Sequence, residues 1–179
     1  AFSATGIARA LLNNIRTGDL NSAGGSTITQ QYAKTAFLTP SRTIQRKIKE
    51  LVISLKLENA MTKDQILENY LNTIYFGRGA YGVQTAAQQY FNRNANQLTL
   101  SQSAVVASIL RSPGLYDPFF GDKAQKERNK ARLDARFQYV LDGMLEKKWI
   151  TEAEAKAAKM PLIACLLYTS DAADEEDSV

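Results

Sequence analysis

Apolar residues recur at three- and four-residue spacing along almost the whole chain, and no alternating run is long enough to make a strand. That periodicity restricts the chain to packed amphipathic helices. Ile7, Leu11, Leu12 and Ile15 form one stripe over 5–16, followed by a Gly, Asn and Ser loop over 17–26. Ser26 or Thr27 then caps a new helix, which Pro40 interrupts. The pattern predicts further helices over 42–60, 63–73, 83–91, 101–111, 123–148 and from Thr151 to about 159. Three of them carry capping boxes: Thr62 with Gln65, Thr99 with Gln102, and Thr151 with Glu154. Gly77, Gly79 and Gly82 read as tight-turn residues, since their spacing fits no phosphate-loop pattern. No internal repeat or linker interrupts the series, so the expectation is one mainly α domain.

Histidine is absent, which excludes His-based triads and His metal sites. The 45% apolar content is incompatible with wholesale disorder. No run of about 18 apolar residues exists, and no signal peptide opens the chain. Because the chain begins at Ala1, the true N-terminus is expected to lie upstream. From Cys165 onward the residues read like a translated sequencing-library adapter, so 165–179 is expected to be a disordered artefact and 1–164 the domain. That tail holds five acids and no base, which leaves 22 bases against 13 acids on residues 1–164. So basic a body calls for an anionic partner: nucleic acid, a membrane surface or a phosphate-bearing substrate.

Two segments choose among these. Gly24-Gly25-Ser26-Thr27-Ile28-Thr29-Gln30-Gln31 is small, polar and uncharged, and it leads into a helix N-terminus, where free N–H groups favour an anion. About 15 residues on, Arg46-Lys47-Ile48-Lys49-Glu50 packs three cations around one acid. On the 42–60 helix, Ile44, Ile48, Leu51, Val52 and Leu55 make the apolar face; Arg42, Arg46, Lys49 and Glu50 share an arc of about 100° opposite. A charged arc is most often solvated surface, but the Gly-Ser loop upstream and the intervening Lys34 favour a site. Cations there would clamp a diphosphate, with Glu50 doing acid/base or electrostatic work. Gln30 and Gln31 are candidates for sugar hydroxyls or amides. Tyr70, Tyr75, Phe76, Tyr81, Tyr90 and Phe91 could stack on sugars, yet their spacing fits core better.

GGSTITQQYAK, RKIKELVISLKLE, KDQILENYLNTIYFGRGAYGVQTAA and LTLSQSAVVASILRSPGLYDP together resemble successive motifs of the family-51 glycosyltransferases. These are the peptidoglycan glycosyltransferase domains of class A penicillin-binding proteins, and the resemblance spans about residues 5–160. It implies a mainly α, lysozyme-like fold, truncated here at its N-terminus. The implied reaction polymerises lipid II onto a lipid-linked glycan chain, with inversion and release of undecaprenyl diphosphate. Glu50 then corresponds to the second of two family acids, which assists diphosphate departure. Lys34, Arg42, Arg46 and Lys49 correspond to cations around the diphosphate. Ser26, Thr27, Gln30 and Gln31 line the substrate; Glu68 and Asn72 are architectural.

The resemblance implies no tightly bound cofactor, with Mg2+ or Mn2+ as supporting ions. It places the whole protein at the extracytoplasmic face of a bacterial cell membrane, anchored by a transmembrane helix ahead of Ala1, usually with a serine transpeptidase domain following. Nucleic acid is not an expected partner. The family's first motif, with the acid that serves as general base, falls before Ala1, so residues 1–164 alone are expected to turn over negligibly. Thr35 stands where the family carries asparagine and Gln102 where it often carries glutamate. Two competing readings are a lysozyme-like hydrolase, which needs an acid in an apolar pocket, and a basic helical nucleic-acid-binding domain with steep salt dependence.

Overall fold

A computed structural model describes residues 26–39 and 43–164. The stripe expected over 5–16, Arg42, Cys165 and the 165–179 tail lie outside the described residues. The described chain is mainly helical, with one isolated antiparallel bridge between Tyr75 and Tyr81. It gathers into two compact units that divide between Thr73 and Ile74. No composition shift marks that division: Thr73 ends a helix and Ile74 follows directly.

The first unit holds α1 (Ile28–Phe37), α2 (Ile44–Ala60) and α3 (Lys63–Thr73). Thr27 caps α1 with a full capping box, its hydroxyl accepting from Gln30 N–H while the Gln30 amide accepts from Thr27 N–H. Thr43 caps α2, so this helix starts two residues later than the apolar pattern predicts. Thr62 and Gln65 exchange the same pair of bonds ahead of α3. α1 packs against both α2 and α3, and its buried residues are Thr29, Gln30 and Ala33.

The packing of α2 reverses the expected burial. Its buried residues are Glu50 and Ser54, whereas Ile44, Ile48, Val52 and Leu55 are between 46% and 54% exposed. The apolar stripe at i, i+4, i+8 and i+11 therefore faces outward, and part of the charged arc is interior. Burying a carboxylate costs several kcal/mol unless it is paired and hydrogen-bonded, so Glu50 can sit inside only with partners. Ser54 meets the same requirement locally by donating to the Leu51 carbonyl at 2.8 Å.

The second unit has a conventional apolar interior. α4 (Val83–Phe91), α5 (Leu100–Ile109), α6 (Pro113–Tyr116), α7 (Lys123–Glu146) and α8 (Glu152–Ala157) follow in order, with a 3₁₀ turn at Ala95–Gln97. α7 packs on α5, α6 and α8 through Leu133, Phe137 and Leu141. The boxes Thr99/Gln102 and Thr151/Glu154 both form. Ser112-Pro113-Gly114 ends α5 as predicted, but Pro113 then opens the single turn of α6, where its fixed φ suits the first helical position.

Gly77 shows why the glycine turn is a turn. Its φ is +91°, and an added Cβ would lie 2.9 Å from Pro113 Cβ and 2.8 Å from Tyr90 Oη. Beside it, Arg78 (φ 51°) pairs with Asp117, Nη2 to Oδ1 at 2.6 Å and Nε to Oδ2 at 2.8 Å, and donates to the Ala164 carbonyl at 2.6 Å. Its guanidinium also lies over the rings of Tyr90 and Phe119. One side chain thus joins three separated stretches of this unit.

Candidate active site

Glu50 is 2% exposed and sits one turn along α2 from two cations. Lys47 Nζ lies 2.7 Å from Glu50 Oε1, and Arg46 Nη1 lies 3.5 Å from Glu50 Oε2. Lys47 Nζ also donates to Ser26 Oγ at 2.9 Å, which ties the loop entering α1 to the carboxylate on α2. The Arg46 Nε is buried without a hydrogen-bond partner. The result is a buried carboxylate held by two cations, with an exposed serine at the edge.

The other candidate residues fall into three groups. Arg46 lies against Glu50, and Ser26 is linked to it through Lys47. Lys34 and Lys49 are exposed, and neither makes an ion pair among the described residues. Thr27 and Gln30 spend their side chains on the capping box, and Gln30 is buried by it. Gln31 is half-buried; its amide donates to the Ser26 carbonyl at 3.3 Å and accepts from Tyr70 Oη at 3.2 Å. Glu68 and Asn72 are exposed on α3. Of the six aromatics, Tyr70, Phe76, Tyr90 and Phe91 are core, but Tyr75 and Tyr81 meet at a 43° tilt with ring centroids 4.9 Å apart and are 42% and 65% exposed.

Lys47 belongs to the cation run of 46–50 but fell outside the arc taken for the site. An angular arc was the wrong filter. Lys49 precedes Glu50 directly and so points about 100° away, whereas residues three and four apart share a face. Scoring Arg46 and Lys47 against Glu50 by that spacing finds both partners without a structure.

Among the described residues no three acidic or cysteine side chains converge, and Glu50 is already occupied by two cations. Mg2+ and Mn2+ favour open oxygen ligands, so these residues do not fit them. A separate cavity of about 470 Å3 opens in the same unit, between the start of α1, the end of α2 and the start of α3. Ile28, Met61, Ile66 and Leu67 line it with Glu58 and Asp64, and none of the Glu50 cluster does.

A family model described as Transglycosylase matches residues 1–145. The chain belongs to the transglycosylase family. Its relatives include penicillin-binding protein 1A of Mycobacterium tuberculosis, 42% identical over 164 residues, 89% of this chain and 19% of that protein. The penicillin-binding protein 1A of Rickettsia bellii is 48% identical over 135 residues, 75% of this chain and 16% of that protein. Among solved structures, penicillin-binding protein 1A from Haemophilus influenzae is similar at 27% identity with a TM-score of 0.46, over 81% of this chain and 18% of that one. The chain therefore spans less than a fifth of the length of these relatives.

Proposed function

We propose that this chain is the polymerising part of a peptidoglycan glycosyltransferase, which joins lipid II to a lipid-linked glycan and releases undecaprenyl diphosphate. The observation that carries the reading is the buried Glu50 with Lys47 and Arg46 against it, beside the Ser26 loop, in a transglycosylase chain. In the transfer, the donor C1–O bond to diphosphate breaks as the acceptor 4-hydroxyl attacks from the opposite face and gives its proton to the general base of the family's first motif. Negative charge grows on the departing diphosphate, and cations placed there lower the barrier. Arg46, whose side chain keeps some exposure, supplies phosphate contacts with Lys34, Lys49 and Arg42, and Glu50 assists departure. Ser26 lines the donor, while Thr27 and Gln30, spent on the capping box, and Gln31, held between Ser26 and Tyr70, support that wall from behind.

Two features set this reading above its rivals. A hydrolase acid needs apolar walls that hold its proton, whereas Glu50 touches two cations. A nucleic-acid surface would gain nothing from a carboxylate among its cations. The outward stripe Ile44, Ile48, Val52 and Leu55 also suits a membrane-bound substrate, because an exposed apolar patch of this kind can rest in a lipid surface. The family resemblance puts the whole protein at the extracytoplasmic face of a bacterial cell membrane, where a transpeptidase domain usually follows this part.

The test is Glu50→Gln in the full-length protein, assayed for lipid II polymerisation. We expect a loss of at least about 100-fold in rate with the fold intact; undiminished polymerisation would remove Glu50 from the reaction.

A further inference from the structure

We infer that Tyr70 is a positioning residue for Glu50, acting from α3 through Gln31 and Ser26; this rests on the polymerase reading above. Four contacts make the chain. Tyr70 Oη donates to Gln31 Oε1 at 3.2 Å. Gln31 Nε2 donates to the Ser26 carbonyl at 3.3 Å. Ser26 Oγ accepts from Lys47 Nζ at 2.9 Å, and the same ammonium holds Glu50 Oε1 at 2.7 Å. All three helices of the first unit contribute: Tyr70 from α3, Gln31 from α1, and Lys47 with Glu50 from α2.

Each link restrains something that would otherwise move. Lysine carries four rotatable carbons and three donors, so its ammonium has no fixed place of its own. Two acceptors fix it here, and one of them, Ser26, sits on an exposed loop end ahead of the Thr27 cap. Gln31 grips that loop by its carbonyl, and Tyr70 holds the Gln31 amide in the orientation that donates. Tyr70 is only 4% exposed, so its ring would pack equally well as phenylalanine; the hydroxyl has Gln31 as its hydrogen-bond partner. Burial pushes the phenol above its ordinary value, which keeps it a neutral donor throughout the working range of pH.

The experiment uses the full-length protein and Tyr70→Phe, which removes one hydroxyl and keeps the ring. We expect kcat for lipid II polymerisation to fall about 10-fold with KM within about twofold, since small displacements of a reacting group are costly while substrate contacts persist. Gln31→Leu should give the same kcat loss, and Tyr70→Phe in that background should add less than about twofold, because the two act along one path. A Gln31→Leu variant that raises KM and leaves kcat alone would make Gln31 a substrate contact and overturn the relay. So would full activity of Tyr70→Phe, or a loss that persists undiminished in the Gln31→Leu background. A second readout needs no catalysis: reductive methylation of Lys47, followed by mass spectrometry, should quicken several-fold in Tyr70→Phe as the ammonium is released. Unchanged Lys47 reactivity would sink the inference even if polymerisation itself were absent, an absence that would instead refute the polymerase reading.

Discussion

Lys47 Nζ lies 2.7 Å from Glu50 Oε1, three residues earlier on the same helix, and the carboxylate it meets is almost wholly out of water. An i, i+3 pair on a solvated helix is worth only a few tenths of a kcal/mol. Here the same spacing decides whether a buried charge is tolerated. Lys47→Met should therefore lower unfolding free energy by about 1–3 kcal/mol, the penalty for leaving a buried acceptor without its donor. Lys47→Arg should restore most of it, because a cation still reaches the carboxylate. Urea melts of the three proteins make the comparison, and an unchanged midpoint for Lys47→Met would show that Arg46 alone suffices.

Arg78 and Asp117 give a second buried pair, with side chains 13% and 9% exposed and two parallel N–H···O contacts. Removing one partner strands the other, so Arg78→Ala should cost about 3–5 kcal/mol. Arg78→Lys should recover less than half, since an ammonium cannot make the fork to Asp117 and also stack on Tyr90 and Phe119. Chemical denaturation again reads both.

The outward apolar stripe of α2 makes a contrasting prediction. Ile48→Glu with Val52→Glu should change stability by no more than about 0.5 kcal/mol per site, since both residues are about half exposed. Sedimentation with anionic phospholipid vesicles should nevertheless fall about 10-fold or more, given roughly 1 kcal/mol of lost apolar transfer at each position. Unaltered vesicle binding would show that this stripe does not meet lipid.

Acid should loosen α8 at a defined point. Backbone N–H and hydroxyl bonds from Thr151 hold the Glu154 carboxyl below its ordinary value. A lowered folded value means the cap's contribution is present above the ordinary glutamate range and is lost as pH falls through the lowered value. Thr151→Ala removes the hydroxyl donor and keeps the N–H, so the Glu154 titration followed by NMR should move partway back up. No movement would assign the whole effect to the backbone.

Much of the fold was legible because helix starts are local events. Thr27, Thr62, Thr99 and Thr151 each satisfy their own helix with residues three positions away, and no distant contact is needed. The pairing of Arg46 and Lys47 with Glu50 was legible for the same reason, once spacing replaced angle as the criterion. The division at Thr73 and Ile74 left no trace, because a unit boundary without a linker depends on which helices later pack together.

The site was only half legible. Arg46 lies against Glu50 and Ser26 reaches it only through Lys47, whereas Gln30 turned inward to cap α1 and Gln31 came to lie between Ser26 and Tyr70, 39 residues away. Glutamine advertises hydrogen bonding without naming a partner. Tyr75 and Tyr81 likewise share the helical spacing of core aromatics, yet they lie on the turn that the glycines make and so stay exposed.

Periodicity by itself determined that α2 would have an apolar side and a charged side, because 3.6 residues per turn sort the residues whatever surrounds them. Tertiary structure alone decided which side went in. α1 presents small and polar residues, Thr29, Gln30 and Ala33, and it carries Ser26 at its entrance. Against such a neighbour a carboxylate with two cations can be paired on every side, while the isoleucines and valine of the other face remain half exposed to whatever surface meets them.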